Sequence, residues 1–241
     1  MKIFKFFFLI ALFSLTLFSC SCKDDEPTEL LGNWLDLSDF EGVARNDGVS
    51  FTIGDIGYVG TGYDGEVRLK DFWSYNSSTN YWTQIADLQG EARNSAVAFS
   101  VSGKGYVGTG YNGINKLSDF WAYDPGSNSW DEIADFAADG GSARYGAIAM
   151  SIGDLGYIGT GYDGNYLKDF WAYYPELDTF IAQVSVAGSK RRDAVAFVLN
   201  GKGYVCTGYN NGTYENDLLE YNPSTGLWTE KRKIASVSDE S

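Results

Sequence analysis

Gly57-Tyr58-Val59-Gly60-Thr61-Gly62-Tyr63-Asp64-Gly65 returns almost unchanged as Gly105 to Gly113 and as Gly156 to Gly164. A fourth copy starts at Gly203 as Gly-Tyr-Val-Cys-Thr-Gly-Tyr-Asn-Asn, and successive copies lie 48, 51 and 47 residues apart. Twelve residues before each copy stands an arginine: Arg45, Arg93, Arg144 and Arg191. After each copy comes an Asp-aromatic segment, Asp71-Phe72-Trp73-Ser74-Tyr75 in the first, Asp119 to Tyr123 in the second and Asp169 to Tyr173 in the third. The fourth is degraded to Asp217-Leu218-Leu219-Glu220-Tyr221, and a last aromatic closes each unit at Trp82, Trp130, Phe180 and Trp228. Self-similarity at a period near 50 residues marks an array of supersecondary units.

Each unit reads as four short strands. In the second they fall near Ala96–Phe99, Gly105–Gly108, Phe120–Tyr123 and Trp130–Ile133. All are rich in aromatic and β-branched residues and are bounded by turn chemistry such as Ser102-Gly103-Lys104-Gly105 and Asp124-Pro125-Gly126-Ser127. No apolar pattern of helical period persists beyond the first residues. A four-stranded sheet with two apolar faces cannot bury both alone, so the units must stack, with the Trp and Tyr side chains between them.

This pattern of arginine, small-apolar strand, glycine pair, and a Tyr and Trp six to seven residues apart resembles the kelch family. Tyr75 with Trp82, Tyr123 with Trp130 and Tyr221 with Trp228 keep the spacing, while Tyr173 is followed by Phe180. The glycine pair is split by a threonine, as in Gly60-Thr61-Gly62. The resemblance covers residues 33–234 and implies an all-β, kelch-type β-propeller of four complete four-stranded blades. Residues 33–45 align with 81–93 without a gap, so the N-terminus is expected to supply an orphan outer strand. In the family such a strand completes a last blade that lacks its own, yet here Leu227 to Glu230 already serves. Family propellers have five to seven blades, so the expectation is a truncated larger propeller whose open ring leaves an exposed edge and apolar face.

Composition narrows the chemistry. The chain has 241 residues, 29 of them glycine, no histidine, and 32 acidic against 18 basic side chains, for a net charge of −14. Without histidine there is no Ser-His-Asp triad, no His-ligated metal and no imidazole base. The acidic balance argues against nucleic acid, which is held by Lys and Arg. The Gly-x-Gly-x-x-Gly strings at Gly60, Gly108 and Gly159 have no following helix and read as blade turns rather than dinucleotide sites. No cofactor and no metal site is expected. Cys206 takes the place of Gly60, Gly108 and Gly159 and reads as a small buried residue.

The candidate ligand-binding residues are the arginines that open each innermost strand together with the variable residue that follows: Arg45 and Asn46, Arg93 and Asn94, Arg144 and Tyr145, Arg191 and Arg192. They are expected to line one rim of the central channel, where variation on a rigid frame would write selectivity for a glycan or a protein. The competing expectation is that each arginine makes a structural ion pair, and the identical recurrence of Asp71, Asp119, Asp169 and Asp217 points to a structural bond in every blade. Kelch relatives include a copper radical oxidase, whose His ligands have no counterpart here, and a sialic-acid epimerase that works through charged funnel residues. A binding module is therefore the first reading, and the alternatives are a sugar-modifying enzyme of the epimerase (mutarotase) type or a truncated propeller fragment without a function of its own.

The first residues read as an address. Lys2 and Lys5 precede an apolar run from Phe6 to Phe18, too short to span a bilayer as a helix but suited to a secretory leader. Leu17-Phe18-Ser19-Cys20 resembles a lipobox, so residues 1–19 are expected to be a lipoprotein signal peptide and Cys20 the lipidation site, with Cys22 the alternative. Residues 20–32 read as an acidic tether and 235–241 as a polar tail. The expected location is the outer membrane, cell-surface or periplasm-facing, with a lipid as the membrane contact.

Overall fold

The computed structural model describes residues 35–233 and shows no helix among them. The signal peptide, Cys20, Cys22 and the whole of the tether and tail lie outside the described residues. Four antiparallel four-stranded sheets follow one another along the chain. Blade 1 is β1 (Val49–Ile53), β2 (Ile56–Gly60), β3 (Phe72–Asn76) and β4 (Tyr81–Ile85). Blade 2 is β5 (Val97–Val101), β6 (Lys104–Gly108), β7 (Phe120–Asp124) and β8 (Ser129–Ile133). Blade 3 is β9 (Ile148–Ile152), β10 (Leu155–Gly159), β11 (Phe170–Tyr174) and β12 (Thr179–Gln183). Blade 4 is β13 (Val195–Leu199), β14 (Lys202–Cys206), β17 (Leu218–Asn222) and β18 (Leu227–Glu230), with a small hairpin of β15 (Tyr209–Asn210) and β16 (Thr213–Tyr214) inserted.

Local chemistry explains the hairpins. Between β5 and β6 the two turn residues, Ser102 and Gly103, have φ of 51° and 77°, the paired positive values a tight two-residue hairpin demands. Along β5 the apolar side chains Val97, Phe99 and Val101 alternate onto one buried face.

That face is covered by the next blade. Phe51 of blade 1 lies on Gly105 of blade 2, Phe99 lies on Gly156 of blade 3, and Met150 lies on Gly203 of blade 4. The middle strand carries glycine there because any Cβ would occupy the space of the incoming ring or thioether. The ring above extends the contact: Phe51 stacks on Tyr58 at 5.0 Å, and Tyr58 meets Tyr123 of the next blade at 5.6 Å. The closing aromatics sit in the same seams, Trp130 against Phe72 at 4.7 Å, Phe180 against Phe120 at 4.9 Å and Trp228 against Phe170 at 5.1 Å. Each of the three apolar clusters therefore spans two neighbouring blades rather than one.

The blades form a four-blade β-propeller around a hub lined by small side chains such as Ser50, Ala98, Ser100, Ala149 and Ala196, with a cavity of about 290 Å³. Innermost strands touch in series, β1 to β5, β5 to β9 and β9 to β13. Backbone bonds follow the same path: Ser95 N–H donates to Asp47 O (2.9 Å), Gly146 to Ser95 (3.0 Å) and Asp193 to Gly146 (2.8 Å). Among the described residues no such bond joins Asp193 to Asp47, and β13 does not meet β1. The junction of blades 4 and 1 is open, so Phe197 is 41% exposed where its counterpart Phe99 is 3% exposed.

The orphan strand differs from expectation. Residues 33 and 34 lie outside the described residues, and Leu35 to Leu37 join no sheet, since blade 4 already has its own outer strand in β18. From Ser38 onward the segment lies on blade 1: Ser38 N–H donates to Asn80 Oδ1 at 2.9 Å, and Phe40 meets Trp82 at 4.9 Å.

Gly156→Ala is expected to lower stability by about 1–3 kcal/mol through overpacking against Phe99. Gly57→Ala, at the matching position of blade 1 where nothing of the same chain lies within 4 Å of the place a Cβ would take, is expected to stay within about 0.5 kcal/mol of wild type when the chain is unfolded as a monomer. Thermal or urea unfolding of the two variants side by side checks the pair.

Candidate functional site

The arginines do not line the rim. Arg93, Arg144 and Arg191 are 0%, 1% and 0% exposed, and each guanidinium grips a carboxylate through two parallel bonds. The pairs are Arg93–Asp119 (2.8 and 2.6 Å), Arg144–Asp169 (2.6 and 2.7 Å) and Arg191–Asp217 (2.5 and 2.7 Å). Arg45–Asp71 repeats the geometry at 2.7 Å for both bonds. The same guanidinium donates to the carbonyl of the threonine inside the glycine pair, Thr61, Thr109, Thr160 or Thr207. Those threonines hold φ between 55° and 60°, a strained setting for a β-branched residue that turns the carbonyl toward the arginine. In the first three blades an indole completes the set, with Trp73, Trp121 and Trp171 Nε1–H donating to the carboxylate at 2.7, 2.7 and 2.8 Å. As ligand contacts Arg45, Arg93, Arg144 and Arg191 are thus withdrawn: their donors are consumed inside the fold, and the structural ion pair is what the sequence encodes.

The residue after each arginine does face the rim. Asn46, Asn94, Tyr145 and Arg192 bridge to Tyr63, Tyr111, Tyr162 and Tyr209, the tyrosine of the glycine motif. A second bridge then brings in Arg68, Lys116, Tyr166 and Tyr214 across the following turn. Every blade so presents three side chains in a row, with the middle one always tyrosine. Across the last three blades the rings form an unbroken series, Tyr111, Tyr145, Tyr162, Tyr166, Tyr209 and Tyr214, with successive centroids 5.2 to 5.9 Å apart.

Cations are threaded through it. Arg192 lies 5.5 Å from the Tyr145 and Tyr209 centroids and 5.9 Å from that of Tyr162. Arg68 covers Tyr111 at 4.9 Å and Lys116 covers Tyr162 at 6.0 Å. Two shallow depressions open on this surface, one of about 560 Å³ bounded by Arg192, Asp193, Tyr209 and Tyr214, and one of about 400 Å³ bounded by Asn94, Tyr111, Lys116 and Tyr145.

Electrostatics separate frame from rim. Burial alone would raise the Asp119 carboxyl, but the Arg93 hydrogen bonds and charge, with the Trp121 indole, outweigh it and hold the group below its usual range. Asp71 is lowered in the same way against the cost of burial by Arg45 and Trp73. Asp193, at the rim, shifts the other way: burial raises it, the Asp47 charge adds to this, and Arg192 opposes both. The Asp64 carboxyl is lowered by the Val67 and Glu66 amides that it accepts, the mark of a turn, and Gly62, Gly110 and Gly161 at φ of 99–104° make the glycine strings turns as well. Among the described residues no group of three or more acidic or sulfur side chains is placed to hold a metal, and Cys206 is buried as a free thiol.

Residues 39–190 match the model of the KLHDC2/KLHL20/DRC7 Kelch-repeats domain, and residues 190–233 match that of the Kelch motif. The chain belongs to the kelch-repeat family. Among solved structures it is similar to one described as "Structure of YjhT", with a TM-score of 0.72, 16% identity, and coverage of 83% of this chain and 68% of that one. At such identity the likeness speaks for the kelch propeller fold alone. No curated protein matches the chain. Kelch propellers generally serve as binding modules for a protein or another ligand.

Within the kelch frame, Arg68, Lys116, Tyr166 and Tyr214 are the rim residues that sequence reasoning missed. The signal was present, since each stands four or five residues after the constant tyrosine, but it shows only once the tyrosine is known to be the middle of three bridged strands.

Arg144→Ala is expected to cost about 3–5 kcal/mol by leaving Asp169 without its partner, and replacing the pair together with Met and Leu should restore most of that loss. For Asp71 and Asp119 the folded pKa lies below the unfolded value, so their contribution is complete above about pH 5 and fades as pH falls through about 4 and below. Melting temperature measured from pH 6 to pH 3 should drop, and Asp119→Asn should flatten that drop.

Proposed function

We propose that this propeller is a binding module whose tyrosine-and-cation rim takes an anionic glycan at the cell envelope, where a lipid on Cys20 anchors it. The observation that carries the reading is Arg192, set over three tyrosines with its side chain 30% exposed beside a depression. Tyrosine faces offer apolar area to the C–H face of a sugar at small entropy cost, and a guanidinium matches a carboxylate or sulfate bidentately. Lys116 and Arg68 extend the cationic character along the same row, so that an oligomer with repeated charge gains more than a monosaccharide. The surrounding charge of −14 makes the cationic row stand out locally and lets salt weaken the contact. The reading rests on the rim for its ligand and on Leu17 to Cys20 for its address.

A second reading has its own observation. Asp193 touches Arg192 at 3.6 Å, with its carboxyl raised by burial and by Asp47. A carboxyl displaced toward neutrality beside an arginine is the equipment for proton transfer on a bound acidic sugar, as in a mutarotase.

A glycan array followed by calorimetry is expected to show binding to acidic oligosaccharides. Arg192→Ala and Tyr162→Ala should each weaken it tenfold or more, and unchanged affinity in both would sink the rim. Accelerated anomer exchange of free sialic acid by NMR, lost in Asp193→Asn, would replace the binding module by the enzyme. For the anchor, metabolic labelling with an alkyne fatty acid should mark the wild-type chain and the Cys22→Ser variant and be lost in Cys20→Ser.

A further inference from the structure

The open junction leaves two matched surfaces without a partner. At each interior seam a large side chain of one blade covers a glycine of the next: Phe51 on Gly105, Phe99 on Gly156 and Met150 on Gly203. Phe197 is the fourth member of the first series, and it stands 41% exposed between Val195 and Leu199 at 53% and 55%. Gly57 is the remaining member of the second series, and nothing of the same chain lies within 4 Å of the place a Cβ would take.

The tyrosines repeat the mismatch. Tyr58, Tyr106 and Tyr157 each meet a tyrosine of the following blade, Tyr123, Tyr173 and Tyr221, at 5.4 to 5.6 Å. Tyr204 stacks on Phe197 at 5.1 Å, as Tyr106 stacks on Phe99 at 4.9 Å, but no tyrosine from a next blade covers it. Tyr75, the counterpart of Tyr123, is paired only with Trp82 of its own sheet among the described residues.

We infer that the Phe197 face of one copy docks on the Gly57 face of a second copy of this chain, head to tail. A second copy is the occupant argued for because it carries the glycine, the tyrosine and the spacing that three seams of the same sequence already use. The face also holds a charge, Glu220, where the interior blades have Ala122 and Ala172. Lys202 at 2.8 Å, Lys231 at 3.2 Å and the Tyr204 hydroxyl at 2.7 Å neutralise it within the same blade, so covering it leaves no unpaired carboxylate. Such a contact is heterologous: it closes if the rotation returns on itself and otherwise extends as a series. Two copies would give eight blades, within the range of propellers.

Sedimentation of the full chain in non-ionic detergent is the test. The wild-type chain is expected to sediment at twice the monomer mass or more, and Phe197→Asp to reduce it to the monomer. Gly57→Leu fills an open position without touching its own blade, so it should fold normally and also give the monomer. Mixing the two variants should restore a dimer, because one copy keeps the knob and the other the socket. A monomeric wild-type chain overturns the inference. So does association that survives Gly57→Leu, which would mean like faces meeting rather than head meeting tail.

Discussion

The bidentate pairing of one arginine with one aspartate, repeated in each blade, is the constraint on which the propeller depends. Its strength lies in what it joins. The backbone of Arg93 belongs to blade 1, where its N–H donates to Leu69 O and its carbonyl accepts from Gly62, while its guanidinium belongs to blade 2 through Asp119 and Thr109. Arg144 and Arg191 repeat this across the next two seams. An arginine so buried cannot be left unpaired without a large loss, so each pair also fixes the angle at which one sheet leaves the last. Apolar burial supplies most of the favourable energy, but it is not directional, and the pair is.

Much of the fold was legible because the repeat displays the same physics four times. Strand positions in the second unit agree with the structure to within two residues, and three of the four closing aromatics, Trp130, Phe180 and Trp228, lie between sheets as the two-faced sheet requires. What could not be read was orientation. Arg45, Arg93, Arg144 and Arg191 look from sequence like a cationic rim, since the chain gives their phase but not the direction of a long side chain. The recurrence of Asp71, Asp119, Asp169 and Asp217 at constant distance held the answer, an acid for every base. Leu35 to Leu37 join no sheet for a related reason: alignment with 83–85 transfers the path along a blade, but a strand also needs a free sheet edge, and β18 has taken it.

The rim shows how a repeat can hold its frame and change its surface. The constant tyrosine lies between two positions that the frame leaves free, because neither belongs to the Arg–Asp pair or to the apolar clusters between the sheets. The first blade fills them with Asn46 and Arg68, the second with Asn94 and Lys116, the third with Tyr145 and Tyr166, and the fourth with Arg192 and Tyr214. Charge and aromatic area therefore rise toward one side of the propeller without any cost to packing beneath. Surface chemistry and stability are written in different residues of one motif.

A sequence without histidine has one more consequence. No side chain in it has its ordinary titration between about pH 5 and 8, and the paired carboxylates Asp71 and Asp119 are displaced further from that interval. The paired carboxylates of the skeleton thus keep their charge over mildly acidic and mildly alkaline conditions. Of the described carboxylates displaced from their usual range, Asp193 alone moves toward that interval, and it sits beside Arg192. Any sensitivity to gentle acidification would accordingly be felt at the rim, while the scaffold under it keeps its shape.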